Sequence, residues 1–257
     1  MIAETAFIVD VEKDELRQKD KPQNCISFSE MGYHKLYYEF HYDLGTKNIA
    51  VSVSNATQFT RVPNLTELDP IGMAIKYGNN EAEVIGKMDV ELMVDQTQLA
   101  LREGGQLPVI EIAGHPFYVD IRMDMLRPKD DFLATGIRFS AIDDYFIEEA
   151  KHYRVPYNPA THSFEELNLE NIKAIPKGII VIDVPLEQQL DPVAFARHYG
   201  FNREHILRNN PIQMNVKARE VSWDETPIKQ IIARNLKKDL EKNQTQSKPQ
   251  RKRSRGI

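Results

Sequence analysis

Apolar residues recur with period two in some stretches of this chain and with period 3.6 in others, and the two rhythms interleave without a regular strand–helix–strand cadence. Residues 33–42 show the clearest alternation. Leu36, Tyr38, Phe40 and Tyr42 fall on one face, and Tyr37, Glu39 and His41 on the other, which predicts a strand. The turn Asp43-Leu44-Gly45 then predicts a hairpin returning over 48–54. Further strands are expected over 5–11, 88–94, 107–113, 117–125, 131–139, 179–184 and 214–221, with a charged loop between 11 and 23. Helices are expected after Asp95, from Ser140 to about Tyr153, over 165–172, over 203–208 and after Thr226-Pro227. In the last of these Ile228, Ile231, Ile232, Leu236 and Leu240 form one stripe. Short mixed elements of this kind imply an α+β fold built on a mostly antiparallel sheet.

Two stretches 122 positions apart read almost alike: residues 62–78 and 184–200 agree at eight of 17 positions, namely Val, Pro, Leu, Asp, Pro, Ala, Tyr and Gly. Each carries the signals of a short helix. Asp69 or Asp191 accepts a backbone N–H as N-cap. Pro70 or Pro192 occupies the first turn, where its missing N–H costs nothing. Gly78 or Gly200 supplies the left-handed stop. Pro70, Met73, Ala74 and Tyr77 predict one buried stripe, and Pro192, Phe195, Ala196 and Tyr199 the same. Two origins fit the match, a duplicated unit or independent convergence on the same caps, and neither makes the helix a reaction centre.

Composition places the chain among soluble globular proteins, with 41% apolar and 28% charged residues over 257 positions. No apolar run approaches the roughly 18 residues of a membrane span, and the N-terminus lacks the basic and apolar regions of a secretory signal. Cys25 is the sole cysteine, so thiolate clusters and internal disulfides are excluded and a cytoplasmic location is expected. Charge is unevenly placed: residues 229–257 carry +8 and residues 1–228 carry −13. A folded body over 1–242 is expected, divisible into 1–140 and 141–242, followed by a disordered basic tail over 243–257.

No H-E-x-x-H pair, nucleophile elbow, phosphate loop or dinucleotide fingerprint occurs, so no metal and no cofactor is expected. His152 is expected on a helix surface beside Glu148 and Glu149. The densest polar group lies on the predicted hairpin 107–127, where Glu111, Asp120, Arg122 and Asp124 face away from the apolar row. They are the candidate residues of a hydrolase or nuclease-like site. An exposed, charge-paired strand gives the same pattern, and on one straight strand Asp120 and Asp124 lie about 13 Å apart, too far to share a metal. The tail cations Lys248, Arg251, Lys252, Arg253 and Arg255 can neutralise phosphates. Without aromatic residues among them, sequence-specific single-strand readout is not expected. Trp223 with Tyr33, Tyr37, Tyr38 and Tyr42 offers either an aromatic binding face or ordinary sheet core.

The stretch Ala113-Gly114-His115-Pro116-Phe117-Tyr118-Val119-Asp120-Ile121-Arg122-Met123, with Leu126-Arg127-Pro128-Lys129-Asp130-Asp131-Phe132, resembles an uncharacterised family of Bacteroidetes proteins. The resemblance extends over most of residues 1–240. It implies a bacterial cytoplasmic protein, which removes a nuclear-import role for the tail, and it assigns no site. The expectation is a non-enzymatic interaction protein with a protein partner, its tail touching nucleic acid or an acidic surface. The alternatives are the hairpin enzyme and a structural subunit that oligomerises through the matched helices.

Overall fold

The computed structural model describes residues 1–131 and 133–246, with side chains described as far as 241. The chain is α+β with mostly antiparallel sheets. It divides into two compact units that do not follow the expected 1–140 and 141–242 split. One comprises 1–108 and 187–214, the other 109–186 and 215 onward. The division is discontinuous because the strand Asn215–Lys217 pairs in parallel with Val109–Ile112, and Arg219–Val221 pairs with Ile180–Pro185. Among the described residues no helix is long and apolar enough to cross a membrane.

In the first unit the strands Phe7–Asp10, Glu15–Gln18 and Cys25–Ser27 form a three-stranded meander. Sequence reading takes residues 11–23 for a charged loop, and Glu15-Leu16-Arg17-Gln18 indeed lacks β-branched residues. Ion pairing supports the strand instead: Arg17 reaches Asp10 at 2.5 Å and Glu15 at 2.8 Å. The strand Tyr37–Asp43 buries Tyr38, Phe40 and Tyr42 as alternation predicts. Leu36 is excluded from that face, because Lys35 turns through φ 62° just before it. The main partner is not the expected 48–54 return but Thr57–Pro63, paired over its whole length. Only Asn48–Ile49 pairs earlier, and Val51 and Val53 stay exposed.

The two matched segments adopt the same local backbone. Each follows a strand ending in Val-Pro, Thr57–Pro63 or Ile180–Pro185. Each then forms a four-residue helix, Leu65–Leu68 or Glu187–Leu190, and an eight-residue helix, Pro70–Tyr77 or Pro192–Tyr199. The caps superpose in torsion space: Asp69 at φ −149°, ψ 75° and Asp191 at −145°, 78°; Gly78 at 66°, 30° and Gly200 at 72°, 24°. Asp69 accepts from Gly72 N at 2.9 Å and Asp191 from Ala194 N at 3.0 Å. Asn80 and Asn202 then cap a third helix each, Glu81–Val84 and Arg203–Asn209. The buried faces differ. Met73 and Ala74 are buried and Tyr77 is half-buried, whereas the second helix buries Pro192, Val193 and Ala196 and leaves Tyr199 51% exposed. The predicted common stripe therefore holds at the alanine and not at the tyrosine.

Residues 88–94, expected extended, contain the helix Asp89–Met93. Asp89 explains it. Its fully buried carboxylate accepts from Leu65 N and Thr66 N, both at 2.9 Å, and from the Tyr38 hydroxyl at 2.5 Å, so it caps the helix Leu65–Leu68. Arg208 donates to the same hydroxyl at 2.8 Å and to Asp14 at 2.5 Å. Burial pushes the Tyr38 hydroxyl well above the ordinary tyrosine pKa and Asp89 adds to the push, so Tyr38 stays a donor to that carboxylate.

The second unit holds two sheets. One runs Ile137–Arg138, Met125–Pro128, His115–Asp120, Val109–Ile112, Asn215–Lys217. The other runs Phe146–Ile147, His152–Asn158, Ile180–Pro185, Arg219–Val221, with Ser163–Phe164 also on His152–Asn158. The helix expected from Ser140 to Tyr153 is cut to Phe139–Ile142 and one 3-10 turn, Asp143–Tyr145. Tyr153, Val155 and Tyr157 alternate beyond it, and pairing with the apolar strand Ile180–Pro185 wins over local helix propensity. The expected helix over 165–172 is absent, and among the described residues of 131–139 the strand is limited to Ile137–Arg138. The final helix is Ile228–Gln246, so residues 243–246, expected in the tail, are helical. Ile228 is buried and Ile231 and Ile232 are half-buried, while Leu236 and Leu240 face solvent. Buried Asn235 continues the contact face, donating to Leu169 O and Ile172 O at 2.9 Å.

Replacing Asp89 with alanine strands two backbone donors and the Tyr38 hydroxyl inside the first unit. Urea denaturation should show a loss of about 3 kcal/mol; a loss under about 1 kcal/mol would mean that the network contributes little.

Candidate functional site

The sheet containing His152–Asn158 and Ile180–Pro185 positions the most developed constellation in the second unit. Its register places Arg154 opposite Asp183, and Asp183 opposite Arg219. Side chains directly opposite point to the same side of a sheet, so the carboxylate lies between two guanidinium groups. Arg154 donates through Nε at 2.8 Å and Nη2 at 3.1 Å, and Arg219 through Nη2 at 2.6 Å and Nε at 3.1 Å. His152 Nε2 lies 3.1 Å from the same carboxylate, near enough for attraction but out of hydrogen-bond alignment. This replaces the expected helix-surface setting of His152. Arg219 also reaches Glu225 at 3.0 Å, and Arg154 donates to Glu225 O at 3.2 Å. Burial works against the Asp183 charge, but the hydrogen bonds from Arg154 and Arg219 and the nearby His152 outweigh it and hold its pKa below the usual carboxylate range.

The same face continues into a cavity. Val181 pairs with Pro156, two residues along from the Arg154–Asp183 pair, and both line it. Tyr145, Phe146 and Ile147 form one wall, Leu167 and Leu169 another, and Trp223 with Ile228 and Ile231 the third. The volume is about 210 Å³. Small-molecule and cofactor sites usually run from roughly 300 to 1,000 Å³, so this one suits a single large side chain better than a nucleotide. The ionisable groups on its wall are Asp144, Tyr145 and Arg154. Burial raises the Tyr145 pKa, and the charges of Glu166 and Asp144 raise it further.

The hairpin candidates sit elsewhere in this unit. The expected strand 117–125 breaks at Asp120 into a 3-10 turn, Ile121–Met123, and returns as Met125–Pro128. Asp120 and Asp124 therefore flank one turn instead of sharing a straight strand. Asp120 is buried, accepts from Met123 N at 3.3 Å and lies 3.6 Å from Arg127. Asp124, at φ 56°, accepts from Ser140 N at 3.2 Å and the Ser140 hydroxyl at 2.5 Å. Glu111 pairs with Lys217 at 2.9 Å, and Arg122 is exposed. Each carboxylate has a local structural partner, and none of the four residues lines the cavity. Among the described residues no group of three or more His, Cys, Asp or Glu is arranged to hold a metal ion. Lys248, Arg251, Lys252, Arg253 and Arg255 lie outside the described residues.

Of the aromatic candidates, Tyr33, Tyr38 and Tyr42 are core residues and Tyr37 stacks on His34. Trp223 alone among them reaches the cavity. Sequence reading missed Asp183 and Arg154, although a signal was present: one aspartate inside the apolar run 180–184 needs a cationic partner if that strand is buried. No protein-family model, curated protein or solved structure matches this chain.

Asp183 gives this unit a pH dependence of defined sign. A carboxylate whose folded pKa is depressed contributes stability fully above its unfolded value near 3.9, and that contribution fades as the pH falls through the folded pKa. Stability measured by denaturant should fall below about pH 4 in the native chain. In Asp183→Asn the acid-dependent drop should be smaller, from a lower starting stability. An unchanged acid profile in the variant would remove Asp183 from this role.

Proposed function

We propose that this chain is a non-enzymatic interaction protein whose second unit receives one large apolar side chain of a protein partner in the cavity walled by Tyr145, Phe146 and Trp223. One observation carries the reading: the cavity is lined mostly by rings and aliphatic groups, and the guanidinium that reaches it is already committed to Asp183. Acid–base or nucleophilic chemistry needs an uncommitted reactive pair aimed at one point. The hairpin set of Glu111, Asp120, Arg122 and Asp124 supports that less well, because its three carboxylates are engaged locally. Buried aromatic anchors are what protein interfaces use most. The lone Cys25 and the Bacteroidetes-like segment favour a bacterial cytoplasmic setting.

The charge split favours a second contact, made by the basic tail with nucleic acid or an acidic surface. The matched caps at Asp69 and Asp191, Gly78 and Gly200, and Asn80 and Asn202 favour a duplicated scaffold element over convergence, since capping rules do not require three successive helices in one order.

Trp223 is the chain's only tryptophan, so its emission reports on the cavity directly. Titration with a neutral five-residue peptide bearing a central phenylalanine should give a saturable change in that emission. Leu169→Phe, which narrows the cavity, should weaken the response at least fivefold. No saturable response to any phenylalanine peptide, whatever its charge, would reject the cavity reading. For the tail, replacing Lys248, Arg251, Lys252, Arg253 and Arg255 with glutamine should flatten the plot of log K against log salt for mixed-sequence DNA. The slope should change by up to about 4.5, at about 0.9 per phosphate contact; an unaltered slope would discard the tail contact.

A further inference from the structure

We infer that the side chain seated in this cavity is delivered by a cationic peptide segment, with lysines or arginines flanking one large apolar residue. The inference rests on the cavity reading and adds the chemistry of the partner.

Two carboxylates unpaired among the described residues stand at the cavity, and four of the cations around it are already paired. Arg154 and Arg219 are both held by Asp183, and Arg219 also by Glu225. Lys229, on the first turn of the final helix, is paired with Asp224. Lys173, near Leu169, is paired with Asp239 at 2.6 Å. Asp144 on the wall and Glu166, next in sequence to the lining residue Leu167, have no ion-pair partner among the described residues. Both carboxylates bear on the ring of Tyr145. The flanking sequence has the same sign: residues 141–170 contain seven acids, Asp143, Asp144, Glu148, Glu149, Glu165, Glu166 and Glu170, against Lys151 and Arg154.

An apolar cavity under uncancelled carboxylates discriminates by charge. A nucleic acid or an acidic peptide brought to this mouth meets the like charge of Asp144 and Glu166, while Arg154, Arg219, Lys229 and Lys173 are already paired. A neutral peptide gains the apolar contact alone. A cationic peptide gains that contact, two ion pairs and the ring of Phe146, which is 40% exposed and can take a guanidinium or ammonium. Exposed ion pairs are individually weak and are screened within about 10 Å at 0.1 M salt. The charge contribution therefore amounts to a preference of about five- to tenfold, and it shrinks as salt rises.

The test uses the full chain, Trp223 emission and three five-residue peptides sharing a central phenylalanine, flanked on each side by two lysines, two serines or two glutamates. At 50 mM salt the lysine peptide should bind about five- to tenfold more tightly than the serine peptide, and the glutamate peptide more weakly than either. The double variant Asp144→Asn, Glu166→Gln should bring lysine and serine peptides to within about twofold of one another, and an unchanged circular dichroism spectrum and urea midpoint show that the variant is folded. Equal binding of lysine and serine peptides to the native chain would overturn the cationic partner while leaving the cavity reading intact. Tighter lysine-peptide binding after glutamine replacement of Lys248, Arg251, Lys252, Arg253 and Arg255 would assign the site to the chain's own basic segment and overturn a separate partner. No response to any of the three peptides would reject the cavity itself.

Discussion

A carboxylate taken out of water must be answered by donors on every side, and both units of this chain are organised around that constraint. Removing an isolated charge from water costs several kcal/mol even after relaxation, so a buried aspartate persists only where several elements converge on it. Asp89 draws together the start of the helix Leu65–Leu68 and the tyrosine of the strand Tyr37–Asp43. Asp183 does the same across three strands with two arginines. Asp191 accepts from Ala194 N and from Arg102 Nε at 2.8 Å; burial raises its pKa, and these donors only partly offset the rise. Where the donors are strand side chains, Tyr38 for Asp89 and Arg154 and Arg219 for Asp183, the site also fixes register, because a one-residue slip would turn them to the opposite face.

This constraint separates what the matched segments share from what they do not. Their caps are local devices, set by an aspartate, a proline and a glycine within ten residues, and they recur with nearly identical torsions. Their surroundings are not local. At the first aspartate, a Cβ on Gly72 would approach Asp69 Oδ2 to 2.3 Å, so an alanine there requires that carboxylate to shift. At the second, Arg102 engages the outer oxygen of Asp191 and Ala194 occupies the equivalent position. The two helices then turn different faces to their cores: Met73 and Ala74 in one, Val193 and Ala196 in the other. Identity of sequence at a cap thus says little about which side chains a helix buries.

The same distinction explains how much was legible beforehand. The α+β class, the Tyr38–Phe40–Tyr42 face and the capped helices depend on neighbours within a few residues, and each could be read from the sequence alone. Residues 140–158 depend on a partner. Their Ile, Tyr and Phe residues fit a helix as well as a strand, and pairing with residues 180–185 decides between them. The straight strand expected through Asp124 ignored that Asp120 can cap a turn, a role its side chain performs better than it would an exposed charge pair. The cavity was the least legible feature. Its wall is assembled from residues 144–156, 167–181 and 223–231, and no spacing rule connects them.

Committed charge and open apolar surface stand side by side on one sheet face, and their adjacency is what gives that face its character. If Arg154 were free, the cavity would present a cation and would suit a carboxylate or phosphate. Because Asp183 takes two of its donors, Arg154 lends the wall its hydrocarbon stem and little net charge. Asp144 and Glu166, which have no ion-pair partner among the described residues, both act on the ring of Tyr145 in the cavity wall. A residue outside the cavity lining thus sets how much charge Arg154 brings to the wall, and Asp183 acts at once as the structural centre of the sheet and as the partner that neutralises that guanidinium.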